Sequence, residues 1–183
     1  MFIFNWIISN RTAVKDLPAN SPSSRVLDVA CGTGLVGDGM VKHGYLGNLV
    51  GLDGSAGMLR VAGAKKLYES LVETFIYKDT KLGESDDSYD GVVCCGGFGP
   101  GHLDPAVLRE LVRVTKQRGV VVFATRYNEH ATPYVDKLDG VIGELEAGGQ
   151  WAKVEKYNTN YFDVDFCDNS KPLLATIYCY RKL

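Results

Sequence analysis

The chain has 183 residues, 45% of them apolar and 23% charged, and 22 acidic against 20 basic side chains leave a formal net charge of −2. That is the make-up of one globular domain in water, long enough to bury a core. The balance lacks any Lys/Arg block and gives no electrostatic footprint for nucleic acid, and no apolar run reaches membrane-spanning length. In chain order, Met1–Ile8 is apolar but short and lacks the basic flank of a signal peptide, so it reads as an amphipathic helix or strand packed on the core, with a short helix expected within residues 1–17. Residues 17–24 read as a loop by their Pro, Ser and Asn content. Arg25–Ala30 is a first strand, Leu35–His43 a helix with Gly44 as its C-cap, and Asn48–Asp53 a second apolar strand that ends in an acid. A helix over Ser55–Leu71 has Ser55 as N-cap, although Gly57 and Gly63 weaken it. Thr74–Lys78 reads as a third strand, Lys81–Ser88 as a solvated acidic loop, and Tyr89–Cys95 as a fourth strand before the glycine-dense loop Gly96–His102. A helix over Pro105–Thr115 has Asp104 as N-cap and Pro105 at its first position. Gly119–Thr125 is a continuous β-branched strand, Pro133–Ala147 a helix closed by Gly148-Gly149, and 151–166 with 173–181 an antiparallel hairpin. This alternation predicts an α/β, doubly wound, mostly parallel seven-stranded sheet with a C-terminal antiparallel hairpin.

The segment Val26-Leu27-Asp28-Val29-Ala30-Cys31-Gly32-Thr33-Gly34 is an apolar strand leading into a turn of small residues and then a helix. Small residues let a ligand approach the backbone, and a helix N-terminus presents free N–H groups to an anionic one. A carboxylate at a buried strand end needs a cationic or hydrogen-bonding partner. This pattern resembles motif I of the class I S-adenosylmethionine-dependent methyltransferases, with Ala30 where the first glycine usually stands. The resemblance implies a Rossmann-like methyltransferase fold and a site for S-adenosylmethionine. It places Ala30, Cys31, Gly32, Thr33 and Gly34 around the methionine part, with Asp28 near its amino group. Asp53 would accept from the ribose hydroxyls, Gly54 and Ser55 follow it, and Met58 would pack on the adenine through its thioether. Asp79-Thr80 matches, by order in the chain, the residues that meet the adenine amino group. Cys95 and Gly96 would lie beside the sulfonium.

Leu108–Gly119 is similar to the family's stretch L-x-E-x-x-R-V-x-K-P-G-G, with Gln117-Arg118 in place of Pro-Gly. The turns at Asp28–Val36 and Gly51–Ser55, Thr125-Arg126, and Tyr178–Lys182 resemble a narrower group within the family, the methyltransferase-like proteins of the Williams–Beuren region. Relatives usually carry a helical lid before motif I. Residues 1–24 do not match it, so a short N-terminal segment with a truncated lid is expected before a cofactor-binding domain over 25–183. The five cysteines (31, 94, 95, 167, 179) show no C-x-x-C and no metal-ligand spacing with the three histidines. No metal is expected, and an odd cysteine count without a secretory signal suits a reducing, cytoplasmic location.

The function expected is methyl transfer from S-adenosylmethionine to a small-molecule acceptor. The alternative is a cofactor-binding interaction module without turnover. No dedicated catalytic residue stands out, because the sulfonium activates the methyl and the protein need only align a nucleophile with it. His102, the only imidazole in the 96–102 stretch, is the candidate base. Gly32–Gly37 also fits the dinucleotide pattern G-x-G-x-x-G, but a short-chain dehydrogenase needs Tyr-x-x-x-Lys, and Tyr134-Val135-Asp136-Lys137 is one residue short.

Overall fold

The structure, a computed structural model, describes Leu17 and residues 20–127, 132–160 and 174–183. The strands are β1 (Arg25–Val29), β2 (Asn48–Asp53), β3 (Ser70–Glu73), β4 (Tyr89–Phe98), β5 (Thr115–Tyr127), β6 (Trp151–Asn160) and β7 (Leu174–Lys182). The helices are α1 (Leu35–Lys42), α2 (Ala56–Ala64), α3 (Val107–Val114) and α4 (Thr132–Ala147). One seven-stranded sheet has the order β3-β2-β1-β4-β5-β7-β6. All pairings are parallel except those of β7, which runs antiparallel to both β5 and β6.

The apolar runs are explained by burial on both faces. Leu27, Val29, Val92, Val121 and Phe123 belong to a core cluster with Leu108 and Leu111 of α3 and Leu138 and Ile142 of α4. Val26, Leu49, Val93, Val122 and Ile177 point the other way and share a cluster with Val36 and Met40 of α1. Each such side chain contributes about 1.5–3 kcal/mol on leaving water. Phe123 stacks on Tyr178 (centroids 4.7 Å) and Trp151 on Tyr180 (4.2 Å), which fastens the hairpin to the sheet. After the edge strand β3 the chain returns past β1 to β4. The carboxyl ends of β1 and β4 thus flank the point where the winding reverses, where open α/β sheets bind their ligands.

Several expected boundaries move. The helix after Ser55 ends at Ala64, because Lys66 turns left-handed (φ 56°) and reverses the chain. The third strand is therefore Ser70–Glu73, and its ladder closes with Thr74 N–H donating to the Asp53 carbonyl. Phe75-Ile76-Tyr77 has strand-like composition but lies beyond β3, with Phe75 65% and Tyr77 69% exposed. Asp104 does cap a helix start, accepting from Ala106 N–H at 2.9 Å. The first turn over Pro105–Ala106 is closed by i→i+3 bonds, so α3 proper begins at Val107. The fourth strand runs on through Gly96-Gly97 to Phe98, across an irregularity between Cys95 and Phe98. The fifth starts early, at Thr115, and its register shifts around Arg118, which is left-handed (φ 66°). The acidic loop is paired rather than merely solvated: Asp86 accepts from Arg113 and Asp87 from Lys182. The helix expected over 1–17, the shortened lid and Cys167 fall outside the described residues, Leu17 excepted.

Candidate functional site

The turn after β1 depends on backbone that most residues avoid. Ala30, Gly32 and Gly34 have φ of 54°, 55° and 76°. Gly34 starts α1, whose first turn has no side-chain cap, leaving its N–H groups directed at the loop. Tyr68, from the segment between α2 and β3, fits beneath this turn because three neighbouring positions lack a side chain. A Cβ at Gly37 would lie 2.6 Å from the Tyr68 hydroxyl oxygen, and one at Gly34 or Gly51 about 3 Å from its ring. From there the Tyr68 hydroxyl donates to Asp28 Oδ2 at 2.6 Å. Asp28 is fully buried, and its Oδ1 has no hydrogen-bond partner. Burial pushes its carboxyl up to about 7, an effect the Tyr68 bond opposes and the charge of Asp53 reinforces. Burial, with the same two carboxylates, also pushes the Cys31 thiol up to about 12, so that group is inert near neutrality.

Asp53 joins two turns. Its Oδ2 accepts from Gly32 N–H and its Oδ1 from Ser55 N–H, each at 2.8 Å. Ser55 caps α2 as expected, accepting from Met58 N–H at 3.3 Å. Met58 is half exposed and lies against Gly32, whose added Cβ would be 3.6 Å from its sulfur.

These turns open onto a cavity of about 850 Å³ at the carboxyl ends of the parallel strands. It is walled by Ala30, Cys31, Gly32 and Thr33 after β1, and by Asp53, Gly54, Ser55 and Met58 after β2. Cys95 and Gly96 of β4, followed by His102, form the facing side. Four residues singled out from the sequence do not form this wall: Asp28, Gly34, Asp79 and Thr80. Asp28 sits behind the turn, and Gly34 shapes it. Asp79 is in solvent, 3.9 Å from Lys78, in a turn where Thr80 Oγ1 accepts from Tyr77 N–H. The wall after β3 is made instead by Thr74, Phe75, Ile76 and Tyr77. Sequence reading missed these because aromatic, β-branched residues look like strand. Leu35, Leu52, Gly97, Gly101 and Leu103 complete the lining. Cys94 and Cys95 are buried strand residues, as expected.

The loop after β4 is held from both sides. Leu103 N–H donates to the Gly97 carbonyl, while the Tyr134 hydroxyl of α4 donates to the Leu103 carbonyl at 2.6 Å. Lys137 pairs with Asp104 at 2.5 Å. His102 lies between these anchors, exposed, with Nδ1 3.1 Å from the Pro100 carbonyl. No helix among the described residues is long and apolar enough to cross a membrane.

A family model described as a methyltransferase domain matches residues 26–119. Methyltransferase-like protein 27 of Homo sapiens is 36% identical over 135 residues, 74% of this chain and 54% of that one. The demethylmenaquinone methyltransferase of Renibacterium salmoninarum is 33% identical over 114 residues, 62% of this chain and 46% of that one. The chain thus spans about half the length of these relatives. Among solved structures, a putative S-adenosylmethionine dependent methyltransferase from Listeria monocytogenes superposes with a TM-score of 0.67 at 14% identity, over 100% of both chains.

Proposed function

The chain belongs to the class I S-adenosylmethionine-dependent methyltransferases, and we propose on that premise that it transfers the methyl group of S-adenosylmethionine to a small-molecule acceptor held in the same cavity. The observation that carries this reading is the cavity itself: one space of about 850 Å³ reached by the ends of β1, β2 and β4, within the range of small-molecule sites. The sulfonium of the bound molecule supplies a methyl already activated for transfer. The residues present fit such a molecule. Gly32 lets its backbone approach, the uncapped start of α1 offers N–H groups to a carboxylate, and Asp28 Oδ1 is a buried acceptor still without a donor.

In this reading the turn Ala30–Gly34 holds the methionine end, with Asp28 behind it. Asp53, Gly54 and Ser55 hold the ribose. The Asp53 oxygens already accept one backbone N–H each, and each keeps a lone pair for a hydroxyl. Met58 covers the adenine, and the aromatic wall of Phe75 and Tyr77 gives it a second apolar neighbour. For Asp79 and Thr80 to reach the adenine amino group, the turn at Tyr77–Thr80 must swing inward. Cys95 and Gly96 border the sulfur, where their small size leaves a path to the acceptor. The name of the demethylmenaquinone methyltransferase relative supports a small-molecule acceptor over a macromolecular one.

Calorimetric titration with S-adenosylhomocysteine, on the wild-type chain and on Asp53→Ala, tests the site. Micromolar binding that falls at least tenfold in the variant supports it. No binding by the wild-type chain at millimolar ligand overturns it. Binding with no S-adenosylhomocysteine formed from S-adenosylmethionine across a panel of small-molecule acceptors would favour a binding module without turnover.

A further inference from the structure

We propose that Tyr68 is a positioning residue of this site: its hydroxyl holds Asp28 Oδ2, leaves Oδ1 for the ammonium group at the methionine end of S-adenosylmethionine, and so makes binding of that group an exchange against one proton. The inference rests on the reading of the cavity as an S-adenosylmethionine site. It adds a residue outside the glycine turn and a dependence on pH.

Three observations carry it. The first is the room made for the side chain. Gly37 lies within α1, where glycine weakens a helix. The space it leaves is filled by Tyr68: a Cβ there would meet the hydroxyl oxygen at 2.6 Å and the ring carbon that bears it at 2.8 Å. The second is the anchoring of the segment on either side. Lys65 pairs with Asp38 and donates to the Gly34 carbonyl, and Lys66 turns left-handed. Glu69 N–H then donates to the Leu49 carbonyl at 2.8 Å. The third is the company of Asp28, which lies between Gly51 of β2 and Val93 of β4 in the sheet. The titratable groups that face it among the described residues are Tyr68, Asp53, Cys31, Cys94 and Cys95, and none is a cation. Burial holds the three thiols far above neutrality. A buried carboxylate kept for structure alone has donors for both oxygens. This one has Tyr68 on Oδ2 and nothing on Oδ1.

With Oδ2 accepting from Tyr68, the proton of the neutral carboxyl sits on Oδ1, the atom an ammonium needs. Proton and ammonium compete for one oxygen, and the displaced proton passes to solvent. Burial pushes the carboxyl up to about 7, and the Tyr68 hydrogen bond opposes that rise by favouring the ionised form. Below that pH the ligand must expel a proton, and above it the carboxylate is already ionised. Without the hydroxyl the carboxyl rises further, by about one to two pH units, the worth of a hydrogen bond to a charged group. Tyr68 thereby sets the pH above which the site accepts its ligand without that exchange.

The test is calorimetric titration of the whole chain with S-adenosylhomocysteine at pH 6, 7, 8 and 9, in buffers of different ionisation enthalpy, for wild type and Tyr68→Phe. Where Tyr68→Phe does not fold, Gly37→Ala reads the same effect, because it keeps the tyrosine and crowds its hydroxyl off Asp28. Wild type is expected to release about 0.9 proton per molecule bound at pH 6 and about 0.1 at pH 8, with affinity about tenfold lower at pH 6. The dissociation constant of the variant divided by that of wild type is expected to be about 10–100 at pH 6 and within about twofold of one at pH 9. Titration of the ligand's own amino group, and of His102 on the cavity wall, is common to both proteins and cancels in that ratio. Carboxyl ¹³C NMR of wild type assigns the proton: the Asp28 signal is expected to titrate in the free chain and to stay that of a carboxylate in the complex from pH 6 to 8. A ratio that does not change with pH is what a purely structural Tyr68 gives, and it overturns the proposal. No proton release by wild type at pH 6, or release without a change at Asp28, also overturns it. Absence of S-adenosylhomocysteine binding by wild type at every pH overturns the cofactor reading, and this inference falls with it.

Discussion

Asp28→Asn separates the cost of a buried carboxylate from the value of its position. Burial pushes the native carboxyl from 3.8 up to about 7, with the charge of Asp53 adding to the rise and the single hydrogen bond from Tyr68 opposing it. Between those two values the folded chain holds a proton that the unfolded chain has released, so stability falls as pH rises through that window. Above pH 7 the full cost is in place, about 4 kcal/mol for a displacement from 3.8 to about 7. The substituted amide keeps an oxygen for Tyr68 and cannot ionise. Its NH₂ group takes the place of Oδ1 and lacks an acceptor, a penalty of about 1–3 kcal/mol that does not vary with pH. The stability of the variant minus that of wild type should therefore rise by about 4 kcal/mol between pH 4 and pH 8, whatever its offset. Urea unfolding of both proteins at pH 4, 6 and 8 without ligand measures this difference. A difference that stays flat across the three pH values refutes the account of Asp28 as a desolvated carboxyl whose ionisation is pushed up to about 7.

Three other perturbations check separate parts of the molecule. Glu110 is buried, which by itself would raise its carboxyl, but the Arg113 guanidinium, Leu82 N–H and Lys81 outweigh burial and hold it at about 2. Its contribution is present above pH 4.5 and lost as pH falls toward 2, so Glu110→Gln should lower stability by about 2–3 kcal/mol at pH 7 and by far less at pH 2, read by denaturant midpoints. Ala30→Gly and Arg118→Gly each remove a left-handed side chain that costs about 1–2 kcal/mol, less about 0.5–1 kcal/mol of glycine's added unfolded freedom. Each should therefore raise the thermal midpoint slightly, and a fall at both positions would refute the strain. Asp79→Ala should leave S-adenosylhomocysteine affinity within about twofold by calorimetry; a tenfold loss would show that the turn at Tyr77–Thr80 swings in on binding.

The fold was legible wherever the chain repeats a strong local rule. The buried run Val26–Val29, broken only by Asp28, and the run Val120–Phe123 read as central parallel strands, and the terminal segments without a helix between them read as an antiparallel pair. Legibility failed where tertiary contacts overrode composition. Nothing local says that Lys66 will turn left-handed and end a helix, because that turn serves to place Tyr68 beneath the glycines. Nothing local says that Phe75-Ile76-Tyr77 lines a cavity instead of a sheet. The cavity wall was legible in Gly32, Gly54, Gly96 and Asp53, which the sequence picks out and the structure brings together. Tyr68, the partner that Asp28 required, lies 40 residues away in sequence and was not legible. Two of the departures from the family pattern, Ala30 and Arg118, were visible as letters. Their shared consequence, positive φ at both, needed the backbone.

The Asp53 brace bears on the thermodynamics of binding. Because one carboxylate ties Gly32 and Ser55 before any ligand arrives, the two turns have little freedom left to lose. Association is then spared much of the ordering entropy that a flexible loop incurs. The heat-capacity change should follow the apolar area covered alone, without the larger signature of coupled folding. The affinity lost in Asp53→Ala would for the same reason combine a missing contact with a loosened turn, and would exceed the worth of any hydroxyl contact by itself.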